Sequence, residues 1–263
     1  MESNNLTLFN EVKNIINTKE YNLSEYNPNV IFHKLKKGNI DKNTKRDINE
    51  NINNLGYVYI INFDKEDNVN DVAIFLENIF GETINNKNRK HKKYEIIESQ
   101  KKPKWFFESH YSQPVHTDEG HEKTQPDTLA LYCETPSEIG GDSILVSAKS
   151  IYNLLVDKYN EKIHTLFNDD CVSFINKQFT KKIFSKINKN IGISFSPLIN
   201  NFKCTKEVHS ILRDLTHLIH QKENQYRFKL KNNQCVVFSN YLYLHSRTAF
   251  LENSKRKLYR FWF

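Results

Sequence analysis

Gln113-Pro114-Val115-His116-Thr117-Asp118 places an imidazole and a carboxylate two residues apart. On extended backbone, residues i and i+2 point to the same side, so His116 and Asp118 converge on one point. Such a pair makes up two-thirds of a facial metal site, and the third ligand must come from elsewhere in the chain. The C-terminal stretch Tyr243-Leu244-His245-Ser246-Arg247-Thr248-Ala249-Phe250 offers a candidate in His245. Two imidazoles and one carboxylate leave three positions open on iron(II), a set that suits oxygen chemistry.

Eleven residues beyond His245 stands Arg256, in Arg256-Lys257-Leu258-Tyr259-Arg260-Phe261-Trp262-Phe263. On a strand, Arg256, Leu258, Arg260 and Trp262 share one face. Two arginines beside Leu and Trp point to a buried anion, and a guanidinium fork suits a carboxylate. A plain Arg–Asp or Arg–Glu bridge is the alternative.

Outward from these motifs, the pattern is α+β. Helices are expected at Leu8 to Ile16, at Arg46 to Leu55 before Gly56, and at Val69 to Phe80 before Gly81. Tyr57 to Phe63, Thr128 to Cys133, Ser143 to Val146, Cys235 to Phe238 and Arg256 to Phe263 read as strands. Gly140-Gly141 makes a flexible turn. Ser147 caps a helix carrying Ile151, Leu154 and Leu155, and Lys206 to Gln221 is a helix with a broad apolar face. Asn86 to Lys104, rich in Lys and Asn, reads as a solvated surface excursion. The expectation is one domain over 1–263, helical to about 56 and with a helical insertion over about 147–221.

The chain has 263 residues, enough for a sizeable core without disulfide or zinc staples. Aromatic residues make up 13%, against global disorder, and Gly and Pro are few. The net charge of +7 admits an anionic partner, yet Asp and Glu accompany Lys throughout. Cys133, Cys171, Cys204 and Cys235 form no zinc spacing, and no targeting pattern or membrane span is evident, so a cytoplasmic protein is expected.

The ordered set His116-Thr117-Asp118, Leu129-Ala130-Leu131-Tyr132-Cys133 with Pro136, Gly140-Gly141-Asp142-Ser143, His245-Ser246-Arg247-Thr248-Ala249-Phe250, Arg256 and Arg260 resembles the taurine dioxygenase-like (TauD/TfdA, clavaminate synthase-like) Fe(II)/2-oxoglutarate oxygenases. The resemblance runs from about Leu55 to Phe263. It implies a double-stranded β-helix (jelly roll) core with flanking helices. It implies iron on His116, Asp118 and His245. Ser143 and Arg256 would hold the distal carboxylate of 2-oxoglutarate, and Arg260 would lie near the metal-proximal carboxylate. Ser143 replaces the family's usual Thr, Asn233-Gln234 its Gly-Asp, and Ser246 the Gly of its distal His-Gly-Arg. None of these changes removes a ligand. The implied reaction uses O2, releases succinate and CO2, and hydroxylates, desaturates or cyclises a small-molecule or carrier-bound amino-acid-like substrate. With Asp118 present, halogenation is disfavoured.

Other residues carry weaker signals. Glu119 could pair with a cationic substrate, and Phe107 and Tyr111, with Trp105 and Phe106, could wall a pocket. His110 and His121 flank the motif and read as surface or substrate-side histidines. His217 and His220 read as surface or packing residues. The rival functions are the same chemistry on nucleic acid or protein, a non-catalytic β-barrel binding protein, and a zinc hydrolase.

Overall fold

The structure, a computed structural model, describes residues 31–36, 41–84, 93–174, 178–197 and 202–263. The expected helix at Leu8 to Ile16 lies outside the described residues. In chain order the elements are β1 (Ile31–Lys36), α1 (Lys42–Glu50) with a π-helical extension (Asn51–Leu55), β2 (Tyr57–Asn62), α2 (Val69–Phe80), β3 (Glu95–Glu98), β4 (Gln113–His116), β5 (Thr128–Thr135) and β6 (Ser143–Ser147). Then come α3 (Ala148–Tyr159), β7 (Val172–Phe174), β8 (Phe179–Lys181), β9 (Phe184–Ile187), β10 (Asn190–Ile193), β11 (Phe202–Lys203) and α4 (Lys206–His220). The chain closes with β12 (Tyr226–Phe228), β13 (Gln234–Ser239), β14 (Tyr243–Arg247) and β15 (Lys257–Trp262).

The helix ends follow local chemistry. Asp41 caps α1 by accepting from the Thr44 N–H, and Gly56, at φ 72°, ends its extension where a side chain would strain the backbone. Asn68 and Asp71 form a reciprocal capping box at the start of α2. Ser147 caps α3 and Thr205 caps α4.

Two sheets carry the architecture. The larger is ordered β1-β2-β13-β5-β15-β3, the smaller β12-β6-β14-β4. Alternation along the strands sorts side chains into three packed layers. The inward faces of both sheets meet through Leu129, Leu145, Phe238, Tyr243, Leu258 and Trp262. The outer face of the larger sheet, with Tyr132, Val237 and Phe261, packs on α1 and α2 through Ile48, Val72 and Leu76. The outer face of the smaller sheet, with Val115, Ile144, Val146 and Leu244, packs on α3 and α4 through Ile151, Leu155, Ile211 and Leu215. Each fully buried Leu, Ile or Phe in these layers contributes about 1.5–3 kcal/mol.

Three sequence expectations are amended. The segment over 147–221 is not helix alone, since β7 to β11 lie within it. These strands have two to four residues, too short for a period-two pattern to stand out. The part before 56 includes strand β1, paired parallel to β2. The Lys/Asn-rich excursion, of which 85–92 lie outside the described residues, includes β3, which pairs with β15. No helix among the described residues is long and apolar enough to cross a membrane.

Candidate active site

Cross-strand register brings the chemistry together. On the smaller sheet His245 of β14 lies opposite His116 of β4 on one side and Leu145 of β6 on the other. The imidazoles face each other with ring centroids 4.5 Å apart. Asp118 follows β4 and turns its carboxylate onto them. Asp118 Oδ1 is 3.4 Å from His116 Nε2 and 3.6 Å from His245 Nε2. All three side chains are buried, and their ligand atoms lie within 4.8 Å of one another, so the group could hold a metal ion.

The protonation states fit that use. His116 Nδ1 is 2.7 Å from the Pro114 carbonyl, which can only accept. The Nδ1 atom therefore donates to that carbonyl, which orients the ring and turns Nε2 toward the other two side chains. The Gln113 amide nitrogen is 3.2 Å from His116 Nε2. Burial, aided by the charges of His116 and Arg260 and opposed by Asp118, pushes His245 down to about 3, so its ring is neutral. Burial alone would raise Asp118, but the Arg260 guanidinium, aided by the contact with His116, outweighs it and holds the carboxyl ionised, well below the usual range. Two imidazoles and one carboxylate suit a divalent transition metal.

The loop carrying Asp118 is fixed from behind. Asn240, fully buried, accepts from the Asp118 N–H at 2.9 Å and donates to the carbonyls of Asp118 (2.9 Å) and Pro126 (3.0 Å). Thr117 donates its N–H to the Phe195 carbonyl at 2.8 Å. The helix α4 braces β4, where the Val115 N–H donates to His220 Nε2 at 3.1 Å while His220 Nδ1 donates to Thr216 O at 2.7 Å. Burial lowers His220 to about 4 and keeps it neutral for this bond.

Arg260, buried on β15, reaches the ligand group. Its Nη1 donates to Asp118 Oδ1 at 2.8 Å, and Nε and Nη2 both donate to Glu95 Oε2 on β3. Its guanidinium is thus shared between two carboxylates of the chain and lies over the Phe107 ring, 5.2 Å from the centroid. Trp262, two residues on and on the same face, donates its indole N–H to Asp118 Oδ2 at 2.7 Å.

Ser143 and Arg256 are both buried and line one small cavity with Cys133, Gly141 and Leu258. Arg256 Nη1 is buried without a hydrogen-bond partner, and burial lowers the guanidinium to about 10. An unsatisfied buried donor beside a hydroxyl fits an incoming carboxylate. A larger cavity of about 800 Å3, lined by Lys123, Lys186, Asp127 and Tyr241, includes none of these residues.

The remaining candidates scatter. Glu119 is half-buried at φ 55°, in the left-handed region, and its charge reaches Arg260. It joins His121 and Glu122 in a second, partly exposed group of metal-capable side chains. Tyr111 is 61% exposed and packs its ring, tilted by 37°, against His110, while Trp105 is 59% exposed, so neither ring walls a buried pocket. His217 is exposed. Glu95, Asn240 and the brace from His220 carried no motif to announce them.

Fold and donor set together define a class, the non-haem metal-dependent dioxygenases. A model of the taurine catabolism dioxygenase TauD, TfdA family matches residues 33–262, and the chain belongs to that family. It is accordingly an Fe(II)/2-oxoglutarate-dependent dioxygenase. No curated protein matches it. Among solved structures it is similar to an asparagine oxygenase in complex with Fe(II), 3-hydroxyasparagine and succinate, at 11% identity and TM-score 0.68 over 84% of this chain and 79% of that one. It is also similar to the non-heme iron oxygenase OrfP in complex with Fe and alpha-ketoglutaric acid, at 10% identity and TM-score 0.66 over 84% and 79%. A third, AAD-2 in complex with Mn(II) and N-oxalylglycine, shares 13% identity at TM-score 0.65 over 91% and 95%.

Proposed function

We propose that His116, Asp118 and His245 hold the iron, that Ser143 and Arg256 hold the distal carboxylate of 2-oxoglutarate, and that the substrate is a small amino-acid-like molecule that becomes hydroxylated. The buried His–Asp–His group, with its ligand atoms within 4.8 Å, carries this reading. The substrate class is supported by the similar structures holding hydroxyasparagine or hydroxyarginine. We read residues 1–263 as one domain and the two facing sheets as a distorted double-stranded β-helix.

Bound iron and 2-oxoglutarate supply the activation of O2 that oxidises a substrate C–H bond, with release of succinate and CO2. The chain supplies position and environment. Pro114 fixes the His116 tautomer, and Arg260 with Trp262 holds both oxygens of Asp118. With Asp118 as the third ligand, halogenation is disfavoured. Phe238, whose ring centroid is 5.5 Å from that of His245, helps keep water from the ligand face. Glu119 and Phe107, beside the carboxylate cluster, are the candidates for substrate contact.

Anaerobic titration of the Fe(II)-loaded protein with 2-oxoglutarate tests the reading. A weak visible metal-to-ligand charge-transfer band supports it, and candidate amino acids are then screened for succinate release. Bound iron without that band overturns it.

A further inference from the structure

Two residues beyond His245, in unbroken register with β6 and past a register shift against β4, Arg247 lies opposite Ser143 of β6 and Gln113 of β4. Residues two apart on a strand share a face, so Arg247 enters the same space between the sheets as His245. Arg247 is buried. Its Nη2 donates to the carbonyls of Ser109 (3.0 Å) and Tyr111 (2.6 Å), but Nε and Nη1 are buried without a partner. Its guanidinium carbon is 4.7 Å from the Phe250 ring centroid, and that of Arg256 is 5.2 Å from the same centroid.

Two buried guanidiniums therefore flank one ring, and three of their nitrogens have no partner. Their charges are poorly compensated. Among the described residues Asp142 is the only carboxylate whose charge acts on Arg256, and none acts on Arg247. Buried cations persist when an anion completes them. Ser143 links the two arginines, as the cross-strand neighbour of Arg247 and the cavity mate of Arg256.

We propose that Arg247 is a second cationic determinant of 2-oxoglutarate binding, serving the distal carboxylate alongside Arg256 and Ser143. This rests on the function proposed above. The bonds to Ser109 and Tyr111 tie the same side chain to the segment before β4, so its position and its charge are set together.

The test compares two keto acids on Mn(II)-loaded protein by calorimetry. The first is 2-oxoglutarate, and the second is 2-oxobutyrate, which lacks the distal carboxylate. Arg247→Gln and Arg247→Lys are measured beside the wild type, with melting temperature and Mn(II) affinity recorded for each. The expected result is a loss of tenfold or more in 2-oxoglutarate affinity for Arg247→Gln, partial rescue in Arg247→Lys, and unchanged 2-oxobutyrate binding. An unchanged 2-oxoglutarate affinity, or an equal loss for both acids, overturns the proposal. If Arg247→Gln does not fold, Arg247→Lys alone decides by the same difference between the acids. Failure of the wild type to bind 2-oxoglutarate would instead overturn the functional reading beneath it.

Discussion

The indole nitrogen of Trp262 donates to Asp118 Oδ2 at 2.7 Å, on the far side of the carboxylate from the two imidazoles. Asp118 thereby keeps one oxygen turned inward and the other tied down. Partners of this kind tune metal affinity about 10- to 100-fold. Trp262→Phe is expected to weaken Mn(II) binding by that order while leaving the fold intact. In a Trp105→Phe background, Trp262 is the sole tryptophan, and its emission is expected to be quenched on Co(II) titration. A Trp262→Phe protein with wild-type Mn(II) affinity would contradict the role given to the indole.

His116→Ala and His245→Ala are each expected to abolish stoichiometric iron binding and turnover, with circular dichroism unchanged. His116 ends β4 and His245 is the middle residue of β14, and the backbone pairing of these strands does not depend on either ring. Metal analysis of the purified variants checks this, and iron-dependent turnover retained in either would refute the ligand assignment.

Gly141→Ala is expected to weaken 2-oxoglutarate binding more than metal binding. Gly141 has φ 72°, and an added Cβ would lie 2.3 Å from Ser137 Oγ and 3.0 Å from Arg256 Nε. Arg256 must then shift, whereas the ligands lie on other strands. Separate titrations with Mn(II) and with 2-oxoglutarate distinguish the two, and equal losses would count against it.

Metal-free protein is expected to lose stability as pH falls from about 6.5 toward 4. His220 is neutral when folded, with its pKa lowered from 6.5 to about 4 by burial. The unfolded chain therefore binds a proton in that window that the folded chain does not, and the favourable difference is complete only above 6.5. The span corresponds to about 3 kcal/mol at most. His245, lowered to about 3, adds to the same limb. Denaturant titrations across this range should show a flatter acid limb for His220→Gln, which has no proton to bind there. An identical limb would show that His220 does not contribute.

Much of the site was legible because each motif is local. His116 and Asp118 are two residues apart on extended backbone, and Ser143 follows a glycine pair. Arg256 and Arg260 share a face with Leu258 and Trp262 by simple alternation. Glu95 was not legible. Its segment, Glu-Ile-Ile-Glu after a Lys/Asn-rich run, has no pattern that marks it as the neighbour of β15, yet its pairing opposite Arg260 gives Arg260 a partner. His220 reads as one more histidine on an amphipathic helix until α4 is seen to press it against the Val115 N–H.

By itself the sequence determined the strand and helix periodicities, the caps, the HxD pair and the order of motifs that goes with this family. These depend on residues close along the chain, where backbone geometry dictates which side chains share a face. Tertiary structure alone decided which groups meet across long separations. His245 comes opposite His116, Glu95 and Asp118 divide Arg260, and Arg247, opposite Ser143, meets Arg256 across Phe250. Those meetings follow from sheet register and burial, which the whole core settles at once.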